Sequence, residues 1–378
     1  MPLHQHNYHL RIAVAISFFF LVNFSAIAQD LYFQRGMNNF RNSDFASAVE
    51  DFNVSLELYP QIVNTRFYRG YANMKLGHIE KALKDFKIVV KRGSAKAEIY
   101  SAMGHLQNER KKYKKALTWF EKAIDIEPCF SEAFNNRGVT HLRLEMYGAA
   151  FKDFNKAILC DSSYVLAYNN RGTARYYNQN VAEPHQKDVL LAIEDFTSAL
   201  RIDPEMALAI RNRGVAHRIA NQFEESVQDL LLAISKKPTN VESHIELGRT
   251  KSKMGDLQTA IAHFLDALRI DPFSEDAYIE MGNAKSGLGY HLEAIRDQLR
   301  ILEFNDLYAG VVYYNVACNY ALLKNKDLMM KFLVKSKKKK FFRESPQVEH
   351  FLKDSDFDGF RNDVDFVKFI NKLEKPLR

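Results

Sequence analysis

The sequence predicts an all-α fold, a solenoid of stacked antiparallel helix pairs, and three observations predict it. Eight glycines (Gly36, Gly70, Gly104, Gly138, Gly172, Gly214, Gly248 and Gly282) are separated by 34 residues, except for one interval of 42. A fixed period of this length marks a stacked-repeat architecture and shifts expectation from a single catalytic pocket to a long binding surface. With each glycine numbered position 8 of its repeat, position 20 is small: Ala48, Ala82, Ala116, Ala150, Ala192, Ser226, Ala260 and Ala294. Position 24 reads Phe52, Phe86, Phe120, Phe154, Phe196, Leu230, Phe264 and Gln298, and position 32 is Pro60, Pro128, Pro204, Pro238 and Pro272 in five copies.

Each feature has a physical role in a two-helix unit. Small residues at positions 8 and 20 let two helix axes approach. The large side chain at 24 fills the gap towards the neighbouring unit, and Ala123, Ala157, Ala199, Ala233 and Ala267 at position 27 follow it at helical spacing. Proline at 32 cannot continue a helix interior, so it ends the second helix. Small–small–Phe–Ala–Pro at these offsets resembles the tetratricopeptide repeat (TPR). The resemblance covers residues 29–308 in eight units: 29–62, 63–96, 97–130, 131–164, 165–206, 207–240, 241–274 and 275–308. It implies a right-handed superhelix. Where the family usually has Trp at position 4, this chain has Tyr32, Arg66, Tyr100, Phe134, Tyr168, Ile210, His244 and Tyr278.

Residues 1–28 precede the repeats and read differently. Arg11, the apolar run Ile12–Leu21 and Ala26-Ile27-Ala28 have the order of a secretory signal peptide, with cleavage expected before Gln29. The expected location is therefore periplasmic or secreted, with no stable membrane anchor. Cys129, Cys160 and Cys318 fit no metal spacing and are read as small buried residues. A Cys129–Cys160 bridge between adjacent units is the alternative in an oxidising compartment.

The net charge of +7 is local. Residues 29–308 hold 37 basic and 37 acidic residues, whereas residues 309–378 hold 15 basic and 9 acidic. A nucleic-acid-binding solenoid would spread its cations along the groove, so no nucleic acid is expected. The excess centres on Lys335, Lys337, Lys338, Lys339, Lys340 and Arg343. That basic patch supports a second functional reading, binding of an anionic polymer or membrane surface.

Comparing the repeats with one another exposes an electrostatic pattern. Position 7 is Arg35, Arg69, Arg137, Arg171 and Arg213, and position 23 of the same units is Asp51, Asp85, Asp153, Asp195 and Asp229. Two of the three units without this Arg also lack Asp, carrying Trp119 and His263; the third keeps Asp297. The pattern predicts an Arg–Asp ion pair between the two helices of a unit.

The TPR resemblance implies a concave face lined by the first helices at about positions 2, 5, 9, 12 and 13. Candidate groove residues are Asn135, Asn169 and Arg211 at position 5, Arg249 at 9, Arg218 at 12, and Arg143 and Lys253 at 13. Asp30, Glu98, Glu132, Glu242 and Asp276 form an acidic rim at position 2. The groove suits an extended or helical peptide of mixed charge. The carboxylate-clamp subclass is absent: Asn136, Asn170 and Asn212 match its central Asn, but no unit has its Lys/Asn pair.

The long interval places an eight-residue insertion between the helices of the fifth unit, around Asn178 to Asp188, with Pro184 and His185 as possible partner contacts. Beyond Asn305 a degenerate ninth unit has Val316 for the glycine and keeps Phe332 at position 24. The tail from Asp354 to Leu373 resembles the closing segment of such arrays. Asp354, Asp356, Asp358, Gly359 and Asp365 also approach a calcium-loop pattern, which the cap reading outweighs. With no catalytic, phosphate-binding or metal-ligand motif, the expectation is a non-enzymatic interaction scaffold without cofactor or metal.

Overall fold

The computed structural model describes residues 30–177, 186–343 and 345–373; the signal segment, Pro184 and His185 lie outside them. Helices and short 3-10 turns make up the described secondary structure, with no strand among these residues. The chain divides into two compact units, Met1–Asn178 and Gln179–Arg378.

In the first unit the helices pair as α1 (30–41) with α2 (Phe45–Leu58), α3 (Val63–Lys75) with α4 (Ile79–Lys91), α5 (Ala97–Glu109) with α6 (Tyr113–Ile126), and α7 (Ser131–Arg143) with α8 (Tyr147–Cys160), followed by α9 (Val165–Tyr177). The second begins with α10 (Gln186–Ile202) and continues as α11 (Ala207–Ile219) with α12 (Phe223–Lys236), α13 (Val241–Lys253) with α14 (Leu257–Ile270), and α15 (Glu275–Gly287) with α16 (His291–Arg300). The ninth pair is α17 (Ala309–Leu322) with α18 (Lys326–Lys338), capped by α19 (Ser345–Lys353) and α20 (Val364–Asn371). Within each unit the first helix packs on its own second helix, and several first helices also pack on the first helix of the next repeat: α5 on α7 and α7 on α9, then α11 on α13, α13 on α15 and α15 on α17.

The glycine grid is explained by steric exclusion. A Cβ on Gly138 would lie 2.6 Å from the Phe154 ring, and one on Gly70 would lie 2.7 Å from Phe86. The position-24 ring therefore rests on the glycine of its own unit, closer than the expected role of filling the gap to a neighbour. It also reaches onward, since Phe52 clusters with Ala72 of the next repeat and stacks 6.4 Å from Tyr68. The turn between the paired helices has a second requirement. Position 15 has positive φ in every described copy of the eight registered repeats, held by Gly77, Gly255 and Gly289 but also by Ser43, Lys111, Glu145 and Asn221; in the ninth unit the left-handed residue is Lys324, one position later.

Two expectations are corrected. Cys129 is exposed and bonded to Cys160, so only Cys318 is the buried free thiol that was expected. The insertion is not all loop: α10 has 17 residues against 13 or 14 in most other repeat helices, so its last residues extend that helix at its start. In the closing segment, where a cap is expected, Ser355–Phe360 is a 3-10 helix with Phe357 buried, and Asp365 is 2.9 Å from Lys326 Nζ.

Candidate functional site

The expected Arg–Asp pair forms in all four repeats whose Arg and Asp lie in one compact unit. Arg69 donates through Nε and Nη2 to the two Asp85 oxygens at 2.7 Å each. Arg137 does the same on Asp153 (3.0 and 2.7 Å), and Arg213 on Asp229 (2.8 and 2.7 Å). Arg35 donates to Asp51 through Nε at 2.8 Å. These aspartates are buried, and two-point geometry with a planar guanidinium offsets much of their lost hydration. Burial pushes Asp153 up, but His141 and Arg137 outweigh it and hold its carboxyl below the usual carboxylate range. Asp229 raises Arg213 above its ordinary value.

Two parts of this network were not foreseen. The third guanidinium nitrogen reaches back to position 25 of the preceding repeat: Arg69 Nη1 to Asn53 at 2.8 Å and Arg171 Nη1 to Asn155 at 2.7 Å. One arginine thus joins three helices. Position 11 supplies further partners for the aspartate, with Asn39 on Asp51 and His141 on Asp153, both at 3.0 Å. In the eighth repeat, where Met281 replaces the arginine, Lys285 at position 11 pairs with Asp297 instead. Since position 11 holds Asn, Gln, His, Arg or Lys rather than one residue type, comparing the repeats did not single it out.

The candidate groove residues fall into three groups. Asn135 and Asn169 are each 2% exposed. They belong to an asparagine ladder along the first helices: Asn170 donates to Asn135 at 2.9 Å, Asn135 to Asn136 at 3.3 Å and Asn169 to Asn170 at 3.2 Å. Their amides are engaged within the protein, so the expectation that they face a partner is corrected. Arg211, Arg218 and Arg249 are partly buried and charge-compensated. Arg218 is 2.7 Å from Glu246, which Arg249 also meets at 2.7 Å; Arg249 reaches Glu280 at 2.8 Å and Asp276 at 3.2 Å. Arg211 lies 3.7 Å from Glu242. Burial works against the charge of Arg249, but Glu246 and Glu280 prevail and raise its pKa. Arg143 and Lys253 are exposed, and neither has an ion-pair partner among the described residues. Arg218, Arg249, Ser252, Lys253 and Glu280 line an open depression of about 450 Å³.

At the C-terminal end, the basic patch is partly occupied. Lys339 pairs with Asp306, and Lys337 donates to the Lys372 carbonyl and lies over the Phe369 ring. Lys338 and Lys340 are exposed. Beside the patch, Tyr314, Cys318, His350, Asp354 and Asp356 line a second depression of about 430 Å³. There Tyr314 Oη donates to Asp354, Cys318 Sγ lies 3.7 Å from the same carboxylate, and burial pushes the Cys318 thiol well up. A protonated thiol and an already bonded carboxylate form a structural cluster, not a nucleophile.

Residues 97–128 and 241–274 each match the tetratricopeptide repeat family model. No curated protein matches the chain. Among solved structures, a tetratricopeptide repeat protein from Parabacteroides merdae aligns over 73% of this chain and 98% of its own, at 15% identity and a TM-score of 0.53. A thermophilic TPR protein from Thermus thermophilus aligns over 50% of this chain and 98% of its own, at 21% identity and a TM-score of 0.44. YrrB, described as a TPR protein with an unusual peptide-binding site, aligns over 51% and 95%, at 17% identity and a TM-score of 0.40. The glycine–aromatic packing recurs in the first four repeats and the seventh, two of the registered copies match the family model, and the helix-pair architecture is shared with a solved repeat protein: residues 97–128 and 241–274 are tetratricopeptide repeats, and the chain has the fold of a repeat solenoid.

Proposed function

We propose that the protein is a non-enzymatic scaffold that binds an extended or helical peptide of mixed charge along the first helices of its repeats. The observation that carries this reading is the depression at Arg218, Arg249 and Lys253. Its arginines are fixed and neutralised by Glu246, Glu280 and Asp276, while Lys253 stands exposed at its margin. Such a surface has a rigid shape and one uncommitted cation. It therefore offers an orienting contact for a carboxylate without the cost of ordering a flexible side-chain cluster. Arg143 offers the same contact in the fourth repeat. In the C-terminal patch Lys337 and Lys339 are held by intramolecular contacts, and Lys338 and Lys340 are exposed.

In-cell crosslinking followed by mass spectrometry tests the reading. Arg143→Glu with Lys253→Glu should remove the partner crosslinks at the first helices, and reversal of Lys337, Lys338, Lys339 and Lys340 should leave them intact. The opposite result would transfer the function to the basic segment and an anionic polymer or membrane surface.

We infer further that the chain is exported and its first 28 residues removed. The Cys129–Cys160 bridge supports this, because disulfides persist in oxidising compartments. N-terminal sequencing of the protein purified from its own cells should begin at Gln29; a retained Met1 would sink the inference.

A further inference from the structure

Positions 4, 23 and 26 meet across the helix pair of a repeat. In the third repeat they hold Tyr100, Trp119 and Lys122, with the rings stacked at 5.7 Å and the ammonium 4.6 Å from the indole. In the eighth they include Tyr278 and Arg300, the guanidinium 5.7 Å from the ring. In the seventh repeat the same three positions hold His244, His263 and Asp266. One donor atom from each lies within 4.8 Å of the others.

Two observations set this cluster apart from a satisfied histidine core. His244 is 9% exposed, and its Nε2 lies 3.1 Å from the Pro238 carbonyl. A carbonyl only accepts, so Nε2 carries the proton and Nδ1 presents a bare lone pair. That Nδ1 is buried and has no hydrogen-bond partner; His263 Nδ1 is buried and unpartnered as well. Leaving a buried nitrogen unpaired is unfavourable, and the seventh repeat carries two on facing helices.

We propose that His244, His263 and Asp266 form a binding site for a borderline divalent metal ion of the Zn²⁺, Co²⁺ or Ni²⁺ class. Neutral imidazole suits these ions, and the backbone carbonyl on the far nitrogen of His244 is the usual outer-shell partner of a metal-bound histidine. A four-coordinate ion with ligand bonds of about 2.0–2.1 Å holds its donors about 3.3 Å apart, so the three side chains must close by up to about 1.5 Å. His263 and Asp266 are the partly exposed members and make that movement. Asp266 binds Arg269 through Oδ1 at 2.6 Å, and its Oδ2 faces His263 at 3.9 Å, so one oxygen remains for the metal. Beyond Asp266 and His244, Lys251 and Asp256 also act on His263, with opposite signs. Three protein ligands leave a fourth position for water or for a donor from a bound partner.

The test is a zinc chloride titration of the full chain, followed by calorimetry and thermal melting. His244→Phe copies Phe134 at the equivalent position, and His263→Leu removes the second donor. Wild type should bind zinc with a melting temperature that rises with zinc concentration. The double variant should fold, bind one equivalent fewer and lose that rise, and Asp266→Asn should weaken the site at least tenfold. Equal stoichiometry and equal shift in the double variant would place any zinc elsewhere and overturn the proposal, as would the absence of heat at millimolar zinc. If the double variant fails to fold, cobalt titration of wild type, read by histidine side-chain NMR, decides the matter. Broadening must reach His244 and His263 at one equivalent; broadening confined to other histidines rejects the site.

Discussion

The guanidinium of Arg137 has a single geometry that satisfies both oxygens of a buried aspartate, and this makes the pair a unit whose halves cannot be removed independently. Arg137→Ala strands Asp153 and should cost about 1–3 kcal/mol. Adding Asp153→Ala should recover part of that loss in a double-mutant cycle followed by thermal melting. Additive losses would count against the pair. The same contacts set a pH dependence. The Asp153 carboxyl is held below its unfolded value, so its stabilisation is complete above the ordinary carboxylate range and disappears as pH falls through the depressed value. Asp153→Asn should flatten that part of the acid limb of the stability curve. This level of detail was legible in the sequence because Arg and Asp appear together in copy after copy. Asn53 and Asn155 were not legible, because they serve the arginine of the following repeat and carry no charge to draw attention. His244 and His263 escaped notice for a related reason: 19 residues apart on two helices, they match no ligand spacing and meet only when the pair folds.

At the scale of the element, the helix hairpin is set by one contact and one turn. The position-24 ring occupies the space a side chain at position 8 would need, so Gly138→Ala must displace Phe154 and should cost about 1–3 kcal/mol by overpacking. The turn at position 15 needs a left-handed residue whatever the sequence supplies. Gly255→Ala, at a φ of +81°, should therefore lower stability by about 1 kcal/mol, measured by denaturant titration. That turn went unrecognised because four of its described copies are Ser, Lys, Glu or Asn rather than glycine. The loop after proline 128 is fixed differently. The Cys129–Cys160 bridge joins the ends of α6 and α8, one repeat apart. Closing a loop of about this length restricts the unfolded chain by roughly 3–4 kcal/mol in the chain-entropy account. Reduction with dithiothreitol should lower the melting temperature, and Cys129→Ser should show the same shift without reductant.

At the scale of the whole molecule, each repeat contacts chiefly its sequence neighbours, so stability is a sum of local terms and damage stays local. Here the glycine period carried most of the fold, since it fixed eight of the nine helix pairs and their order. The closing segment was legible only as an amphipathic tail. In the structure it is an aromatic plug: Phe351, Phe357, Phe366 and Phe369 are buried and pack together, with Tyr314 and Phe342 against Phe351. Removing residues 344–378 would uncover that surface on α17, which is buried along most of its length and cannot be solvated without loss. Hydrogen exchange should then show lost protection in α17 and α18, a smaller loss in α15 and α16, and no change in α3 to α8. A uniform loss across all repeats would mean that the chain unfolds as one cooperative body, and that the nearest-neighbour account of its stability is wrong.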